Sequence, residues 1–588
     1  MQRKIKHPLL ASTLMAITTA GLLSGCGGSS NNSTVVTTPN ITSTTDAEDA
    51  ALKFDANNYT TVTVTVDGVA TAIRQYRVVY VDKPIKMAAT QPTLMGTTAT
   101  LSDPYVYQTM IISVPEAVIN NQKTALYFAV NNAGWFASPV STTIAEGKAF
   151  VSTNDTDNIG AALKAGYVVV NVGTRSRGIK SEDGRWVGKA PAPVVDAKAA
   201  IRYLRLNDSN MPGSAERIIM TGTSGGGGLT AAVSASGNSA DYLPFLVDIG
   251  AAGIQVSGTT TTSTLKDGVF AAVAYCPINN LGNADTGYEW EYNAIRNDTN
   301  TPALNGVAYS AGEQISASTA LAAAFPAYVN GLGLKRDNGT ALTDANLRDT
   351  TLVQVKAEIE RQLAAGKTIP ALGENFTLTQ SGPPGTAPTT KTLVNDWLTL
   401  NGSGSSATVA NIDYTKFLTF VTTLKTLKTV VAFDAVGVTG NKDTSGSWKI
   451  SGETNLFGSD SNQYSNFNAW SWNNNAANGD ASGSDDTGLS WSAYLSNPSN
   501  NLATQIKLIN PLAYLNTSAD SAPYWYVRHG MVDRDTAFAM QTLLYQAVKN
   551  DPTVKDINFK LPYLVGHSGN YDVQEAFTWI KAKLDATP

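Results

Sequence analysis

Residues 217–235 read Arg217-Ile218-Ile219-Met220-Thr221, then Gly222-Thr223-Ser224-Gly225-Gly226, then Gly227-Gly228-Leu229 and on to Ala235. The first five are a short apolar run rich in β-formers, as a strand buried on both faces is. The last seven, Leu229 to Ala235, are mostly small residues and can open a helix. Between them lies Gly-x-Ser-x-Gly, which at a sharp strand-to-helix turn exposes the serine hydroxyl while glycines on either side remove Cβ atoms that would clash. With 49 glycines in the chain the bare string arises easily by chance, so its place between strand and helix carries the weight. The alternative is a glycine-rich turn with an incidental serine.

Similar apolar runs recur at 125–130, 167–172, 269–275, 524–528 and 561–565. Between 167–172 and 217–221, Val194, Ala197, Ile201 and Leu204 recur at helical spacing with charges on the other side. Alternating strand and helix predicts a mostly parallel sheet with right-handed crossovers. The run at 269–275 is separated from that at 524–528 by a long stretch of different texture, first Ala- and Leu-rich, then rich in Asn, Gly and Ser. The simplest topology is one α/β domain in two pieces, residues 51–279 and 521–588, with a lid domain inserted at 280–520. In open α/β sheets ligands bind at the carboxyl ends of the strands, so a lid placed there would wall the site.

A serine hydroxyl needs a histidine to take its proton and a carboxylate to orient that histidine. The chain has three histidines, at 7, 529 and 567. His567 follows the last expected strand, where the general base belongs, and Asp533 lies on the loop after the preceding strand, where the orienting carboxylate belongs. The order Ser224, Asp533, His567 is that of a known class of serine hydrolases. His529 competes as base but precedes Asp533 and breaks the order; a hydrogen-bonded structural role suits it better. Asp535 competes as orienter. The oxyanion hole calls for the Gly225 amide and a second donor from an early loop, and Asn131-Asn132-Ala133-Gly134-Trp135 supplies Ala133 and Gly134, unless that segment is a plain β-turn.

Length allows several average units or one elaborated enzyme domain: 588 residues at roughly 100–200 per domain. Hydrophobic residues at 43% against 15% charged ones indicate a globular chain with a substantial core. Lys plus Arg is 42 against Asp plus Glu 47, with no basic run beyond the N-terminus, which argues against nucleic acid as a partner. Two cysteines, Cys26 and Cys276, with three histidines exclude a zinc site built from several Cys and His ligands. Arg3, Lys4 and Lys6 precede a short apolar stretch at 9–23 ending Leu23-Ser24-Gly25-Cys26. This pattern predicts a signal peptide over 1–25, with a lipobox whose Cys26 thiol takes the lipid, rather than an ordinary secretory signal with a chance cysteine. Residues 26–50, rich in Ser, Thr, Asn and Gly, would then tether an exported, membrane-anchored protein. Removing 1–25 leaves 39 basic against 47 acidic residues, a net charge of −8, and Cys276 without a disulfide partner.

Over about 114–293 and 510–580 the chain resembles the bacterial subtype B tannases, tannin acyl hydrolases of the α/β-hydrolase superfamily. The shared motifs include Val114-Pro115-Glu116-Ala117, the Asn132-Ala133-Gly134-Trp135 loop and Gly188-Lys189-Ala190-Pro191-Ala192. They continue with Arg202-Tyr203-Leu204-Arg205, Met211-Pro212-Gly213, Gly222-Thr223-Ser224 and Tyr275-Cys276-Pro277-Ile278. Ala284-Asp285, Tyr288-Glu289-Trp290, Arg528-His529-Gly530 and Asp533-Arg534-Asp535-Thr536 complete the set.

The resemblance implies an α/β-hydrolase fold with a mostly parallel central sheet and a large inserted lid. It also implies hydrolysis of galloyl ester and depside bonds to gallic acid without metal or organic cofactor. In that family the first Asp of Asp-Arg-Asp completes the triad and the second binds phenolic hydroxyls, which assigns Asp533 and Asp535 those roles. A lid Lys and Glu of the family map onto Lys428 and Glu453, here separated by a polar insertion at 438–447. The chain departs from the family after the elbow serine, where Gly225 to Gly228 reads as a looser backbone, and at 173–177. A feruloyl or general carboxylesterase would use the same triad, and a non-catalytic binding protein of this fold would be expected to have lost it. The fungal-type tannases and feruloyl esterases need a disulfide beside the site, which one free cysteine cannot supply.

Overall fold

In the computed structural model the apolar runs become the centre of a ten-stranded sheet. The residues described are 44–92, 99–297, 311–380, 387–435, 437, 452–475, 482–499 and 501–587. The expected signal peptide, Cys26, most of the tether and the insertion at 438–447 lie outside them. The sheet strands in chain order are β1 (Thr60–Val66), β2 (Val69–Val79), β3 (Thr109–Pro115), β4 (Ala125–Val130) and β5 (Ala149–Phe150). They continue with β6 (Val168–Val172), β7 (Ser214–Thr223), β8 (Ala271–Tyr275), β9 (Tyr524–Arg528) and β10 (Asp556–Lys560). Across the sheet they run β10-β9-β8-β7-β4-β6-β3-β2-β1-β5. From β10 to β6 neighbours are parallel, while β6-β3-β2-β1 are antiparallel.

The two-residue pleat divides each central strand between two cores. Leu126, Phe128 and Val130 of β4, Val168, Val170 and Val172 of β6, and Ile218 and Met220 of β7 face one cluster. Ala125, Tyr127, Val169 and Ile219 face the other. Because both faces are covered, the runs read as continuously apolar. Leu126, Phe128, Val170 and Ile218 are fully buried, each worth about 1.5–3 kcal/mol of transfer free energy. The crossover helix α1 (Ala192–Leu206) buries Val194, Ala197, Ile201 and Leu204 against the first cluster, the face expected from their spacing.

The fold is a mixed α/β architecture around a mostly parallel sheet, of the α/β-hydrolase type with inserted segments. Two sequence expectations are corrected. The final strand is not 561–565 but Asp556–Lys560, and 561–565 is an irregular segment leading to His567. The expected tether ends early. Thr44–Ala51 is a helix, Asp49 Oδ1 accepts from the Gly253 amide at 2.8 Å, and Glu48 pairs with Lys83. Between β8 and β9 the chain forms α2 (Leu281–Tyr292), α3 (Ala311–Gly331), α4 (Asp344–Ala364) and two small hairpins, then returns in parallel register, Ala271 opposite Tyr524 and Tyr275 opposite Arg528. No described helix is long and apolar enough to cross a membrane.

Candidate active site

Register places the site. Thr223 of β7, Tyr275 of β8 and Arg528 of β9 are aligned neighbours, so the next residues, Ser224, Cys276 and His529, emerge side by side at the carboxyl edge of the sheet. Ser224 stands between β7 and the helix Gly225–Ala235 with φ 61° and ψ −122°, a left-handed, sparsely populated conformation for a residue with a side chain. It is held from two sides. Its amide donates to the Tyr275 carbonyl at 2.9 Å, and its carbonyl accepts from the Gly228 and Ile278 amides at 2.9 and 3.0 Å.

The four glycines after Ser224 are not a looser backbone. A Cβ on Gly225 would lie 2.1 Å from the Trp135 nitrogen, and one on Gly228 would lie 2.0 Å from the Ile278 carbonyl oxygen. Close approach of the helix to the neighbouring loops requires the missing side chains.

The structure joins the three distant residues into one chain of hydrogen bonds. His567 Nε2 lies 2.9 Å from Ser224 Oγ, and His567 Nδ1 lies 2.8 Å from Asp533 Oδ2. Asp533 is fully buried, and its other oxygen, Oδ1, accepts from the Asp535 amide at 2.9 Å. The rival assignments separate on distance. Asp535 Oδ2 is 3.8 Å from His567 Nδ1, too far to orient it. His529 is fully buried on the far side of Asp533 and does not bond Ser224.

Burial disfavours the Asp533 anion, yet His529 and His567 outweigh it and hold the carboxyl well below its ordinary range. Burial likewise lowers His567, but the Asp533 carboxylate beside it raises it well above an ordinary imidazole. The arrangement keeps Nδ1 protonated towards Asp533 and turns Nε2 to the hydroxyl.

The Asn132 loop packs against Gly225. Gly134 and Trp135 both have positive φ, 54° and 59°. The Ala133 amide is committed to the Asn131 carbonyl at 2.9 Å and the Trp135 amide to Asn132 at 2.8 Å. Of the two residues expected to supply a second oxyanion donor, Gly134 is therefore the one whose amide has no acceptor among the described residues. Arg177 Nε donates to the Gly134 carbonyl at 2.6 Å and Ser176 Oγ to the Trp135 carbonyl at 2.5 Å, so the 173–177 segment clamps this turn.

A cavity of about 260 Å³ opens beside His567, lined also by Asp533, Arg534, Asp535 and Lys425. Asp535 is ion-paired to Lys425 at 2.7 Å and to Arg534 at 2.6 Å. A larger cavity, near 530 Å³ around Lys335 and Asn550, holds none of these groups. Lys428 interacts electrostatically with both Glu453 and Asp535. Burial lowers the Lys428 ammonium, opposed by Glu453 and Asp535, and its Nζ sits 3.9 Å above the Phe433 ring.

The segment carrying Glu453 is tied to the core by Lys189. The Lys189 Nζ donates to the carbonyls of Asn455, Phe457 and Gln463 at 3.1, 2.7 and 2.8 Å, and burial lowers it to about 7. Lys189 and Arg177 carried no local sequence signal beyond their motifs, and Lys425 carried none. Cys276, His529 and Asp533 converge within 4.8 Å among the described residues, a meeting that the histidine and cysteine counts did not suggest. Cys26 lies outside the described residues.

A hydroxyl, imidazole and carboxylate in this order, at the carboxyl edge of this sheet, are the arrangement of a serine hydrolase of the α/β class. Comparison with known proteins narrows it. A family model called BD-FAE matches residues 117–302. The structure is similar to the tannase of Fusobacterium nucleatum, at 29% identity and TM-score 0.65, covering 91% of this chain and 99% of that one. It is similar to the tannase of Lactobacillus plantarum, at 28% identity and TM-score 0.64, covering 90% and 98%. It is similar, too, to a tannin acyl hydrolase in complex with ethyl gallate, at 29% and 0.65, covering 90% and 98%. No curated protein matches. The chain is thus a structural homologue of the bacterial tannases along about nine-tenths of its length, and a carboxylic ester hydrolase of the tannase or feruloyl esterase type.

Proposed function

We propose that this chain is a serine esterase that releases gallic acid from galloyl esters and from the depside bonds of hydrolysable tannins. The observation that carries it is the Ser224–His567–Asp533 relay with Asp535 two residues beyond, in a homologue of a hydrolase solved with ethyl gallate. His567 Nε2 takes the Ser224 proton as Oγ attacks the ester carbonyl. The Gly225 and Gly134 amides receive the charge that develops on the carbonyl oxygen. The imidazolium returns its proton to the leaving alcohol, and water then hydrolyses the acyl-enzyme by the same route.

The three phenol hydroxyls of a galloyl ring, with pKa about 10 like Tyr, are neutral donors that carboxylates accept. Asp535 and Glu453 suit that task, and Lys428 suits the remaining lone pairs. A ring lacking those hydroxyls would forgo the hydrogen bonds it makes to these groups, at about 1–3 kcal/mol each. The segment between β8 and β9, which brings Lys428 and Glu453, would act as the lid. The leader adds a lipid on Cys26 and a place in the bacterial envelope.

A feruloyl or cinnamoyl esterase is the second reading, favoured by the BD-FAE match. Turnover of methyl gallate against methyl ferulate separates the two. Strong preference for gallate supports the tannase; equal rates or a preference for ferulate overturn it.

A further inference from the structure

Behind Asp533 the site continues. His529 and Cys276 are both fully buried, and with Asp533 their nitrogen, sulfur and oxygen atoms lie within 4.8 Å of one another. His529 Nδ1 approaches Asp533 Oδ2 at 3.3 Å, the same oxygen that His567 Nδ1 holds at 2.8 Å. Neither ring nitrogen of His529 has a well-formed hydrogen bond, although the ring is wholly enclosed and packs edge-on against Phe538 at 5.2 Å. An imidazole buried without a full partner is costly, so its position beside the carboxylate calls for a reason. The Cys276 backbone adds to this: its φ of 44° is a left-handed conformation uncommon outside glycine, and it carries the thiol beneath the relay. Ser224, His567, Asp533 and His529 run in one line of hydroxyl, imidazole, shared carboxylate and second imidazole, and the Cys276 thiol lies beneath it, within reach of both imidazoles.

We propose that His529, backed by Cys276, is a positioning residue: it draws on the Asp533 oxygen that His567 uses and thereby sets how tightly His567 holds its proton. The inference rests on the esterase reading above. The sign does not depend on His529's own charge. As a neutral donor it competes for Oδ2, and as a cation it repels the His567 imidazolium; either way it lowers the basicity of His567. Electrostatics agree with the geometry. Burial lowers His529, Asp533 and Cys276 raise it, and His567 acts against it. His567 itself faces the Cys276 thiol, which raises it, and a few other groups surround the pair. Tyr571 Oη stands 3.6 Å from Cys276 Sγ, and the Ser568 carbonyl accepts from that thiol at 3.1 Å. Glu291 of α2 acts from the other side, already bound to Tyr414 and to the Ala539 amide. Asp535 and the Arg534 and Lys425 that pair with it lie on the His567 side.

The test is kcat/KM for methyl gallate against pH in the whole chain, wild type beside His529→Phe and His529→Asn. The phenyl ring keeps the packing on Phe538 and removes the donor, whereas the Asn amide returns a donor near the Nδ1 position. The acid limb of H529F is expected to move up by about 0.5–1 pH unit, with H529N returning towards wild type. A purely structural role would lower both variants' activity without moving the limb, and a folded H529F with an unmoved limb overturns the proposal. Independently of any variant, the ring-proton resonances of the three histidines can be titrated in the wild type. The His529 signal should shift at the pH where His567 titrates, and a His529 signal that stays still overturns the proposal as well. Failure of the wild type to release gallate would instead strike the functional reading, while the resonance titration would still report the coupling.

Discussion

Replacing Asp533 by Asn tests the relay through a single proton. Asp533 Oδ1 accepts from the Asp535 amide at 2.9 Å, so the carbonyl oxygen of the new side-chain amide is expected at that place and its NH2 group towards His567. His567 Nδ1 must then accept, which moves the ring proton to Nε2, the nitrogen 2.9 Å from Ser224 Oγ. A protonated Nε2 cannot take the serine proton. In serine hydrolases this tautomer change lowers kcat about 10⁴-fold, which at about 1.36 kcal/mol per tenfold is about 5.4 kcal/mol of transition-state stabilisation. Asp and Asn have nearly the same shape and Asp533 meets no substrate group, so KM should stay within about threefold and the loss should fall on kcat. The assay is initial-rate release of gallate from methyl gallate, with thermal unfolding of both proteins alongside. A folded D533N whose kcat falls less than about tenfold would refute the relay.

Asp535→Asn removes the proposed acceptor for a phenolic hydroxyl, so the kcat/KM ratio of methyl gallate to methyl benzoate should fall by about 5- to 150-fold, the equivalent of about 1–3 kcal/mol; an unchanged ratio contradicts the assignment. Gly228→Ala places a Cβ 2.0 Å from the Ile278 carbonyl oxygen and should cost roughly 1–3 kcal/mol or more, read from the urea midpoint, whereas no loss would mean the helix start is loose after all. His567 must be neutral to act, and Asp533 raises it, so the acid limb of kcat/KM should lie above the ordinary imidazole value of 6.5. The same raised value stabilises the fold fully below the unfolded-state pKa and is lost as pH rises through the folded-state pKa.

The centre of this fold was legible because its strands are buried on both faces, and such segments advertise themselves. Ala125–Val130 and Tyr524–Arg528 lie where their apolar runs placed them. The edge was not. Asp556–Lys560 is only partly buried and reads as polar, while 561–565 is apolar because Leu561 and Tyr563 are buried in a loop. The antiparallel strands β1 and β2 went unread for a similar reason, since Thr60–Val66 alternates threonine with valine and has one face half exposed.

At the site, strand-helix context and chain order sufficed to find Ser224, Asp533 and His567, because the chemistry demands those groups in sequence. Cys276 and His529 could be named from the sequence but not brought together. Their meeting with Asp533 depends on the register of β8 against β9, which no local pattern encodes. The tightness of Gly225 to Gly228 was misread for the same reason, because the obstructing atoms come from residues 132–135 and 275–278.

The most direct measurement is gallate release from methyl gallate by the whole chain, wild type and Ser224→Ala side by side. The wild type should turn over the ester, and the variant, still folded, should lose at least about 10⁴-fold in kcat. Gallate release that persists in the folded variant, or a wild type that leaves methyl gallate intact, would contradict the assignment of Ser224 as the nucleophile of a galloyl esterase.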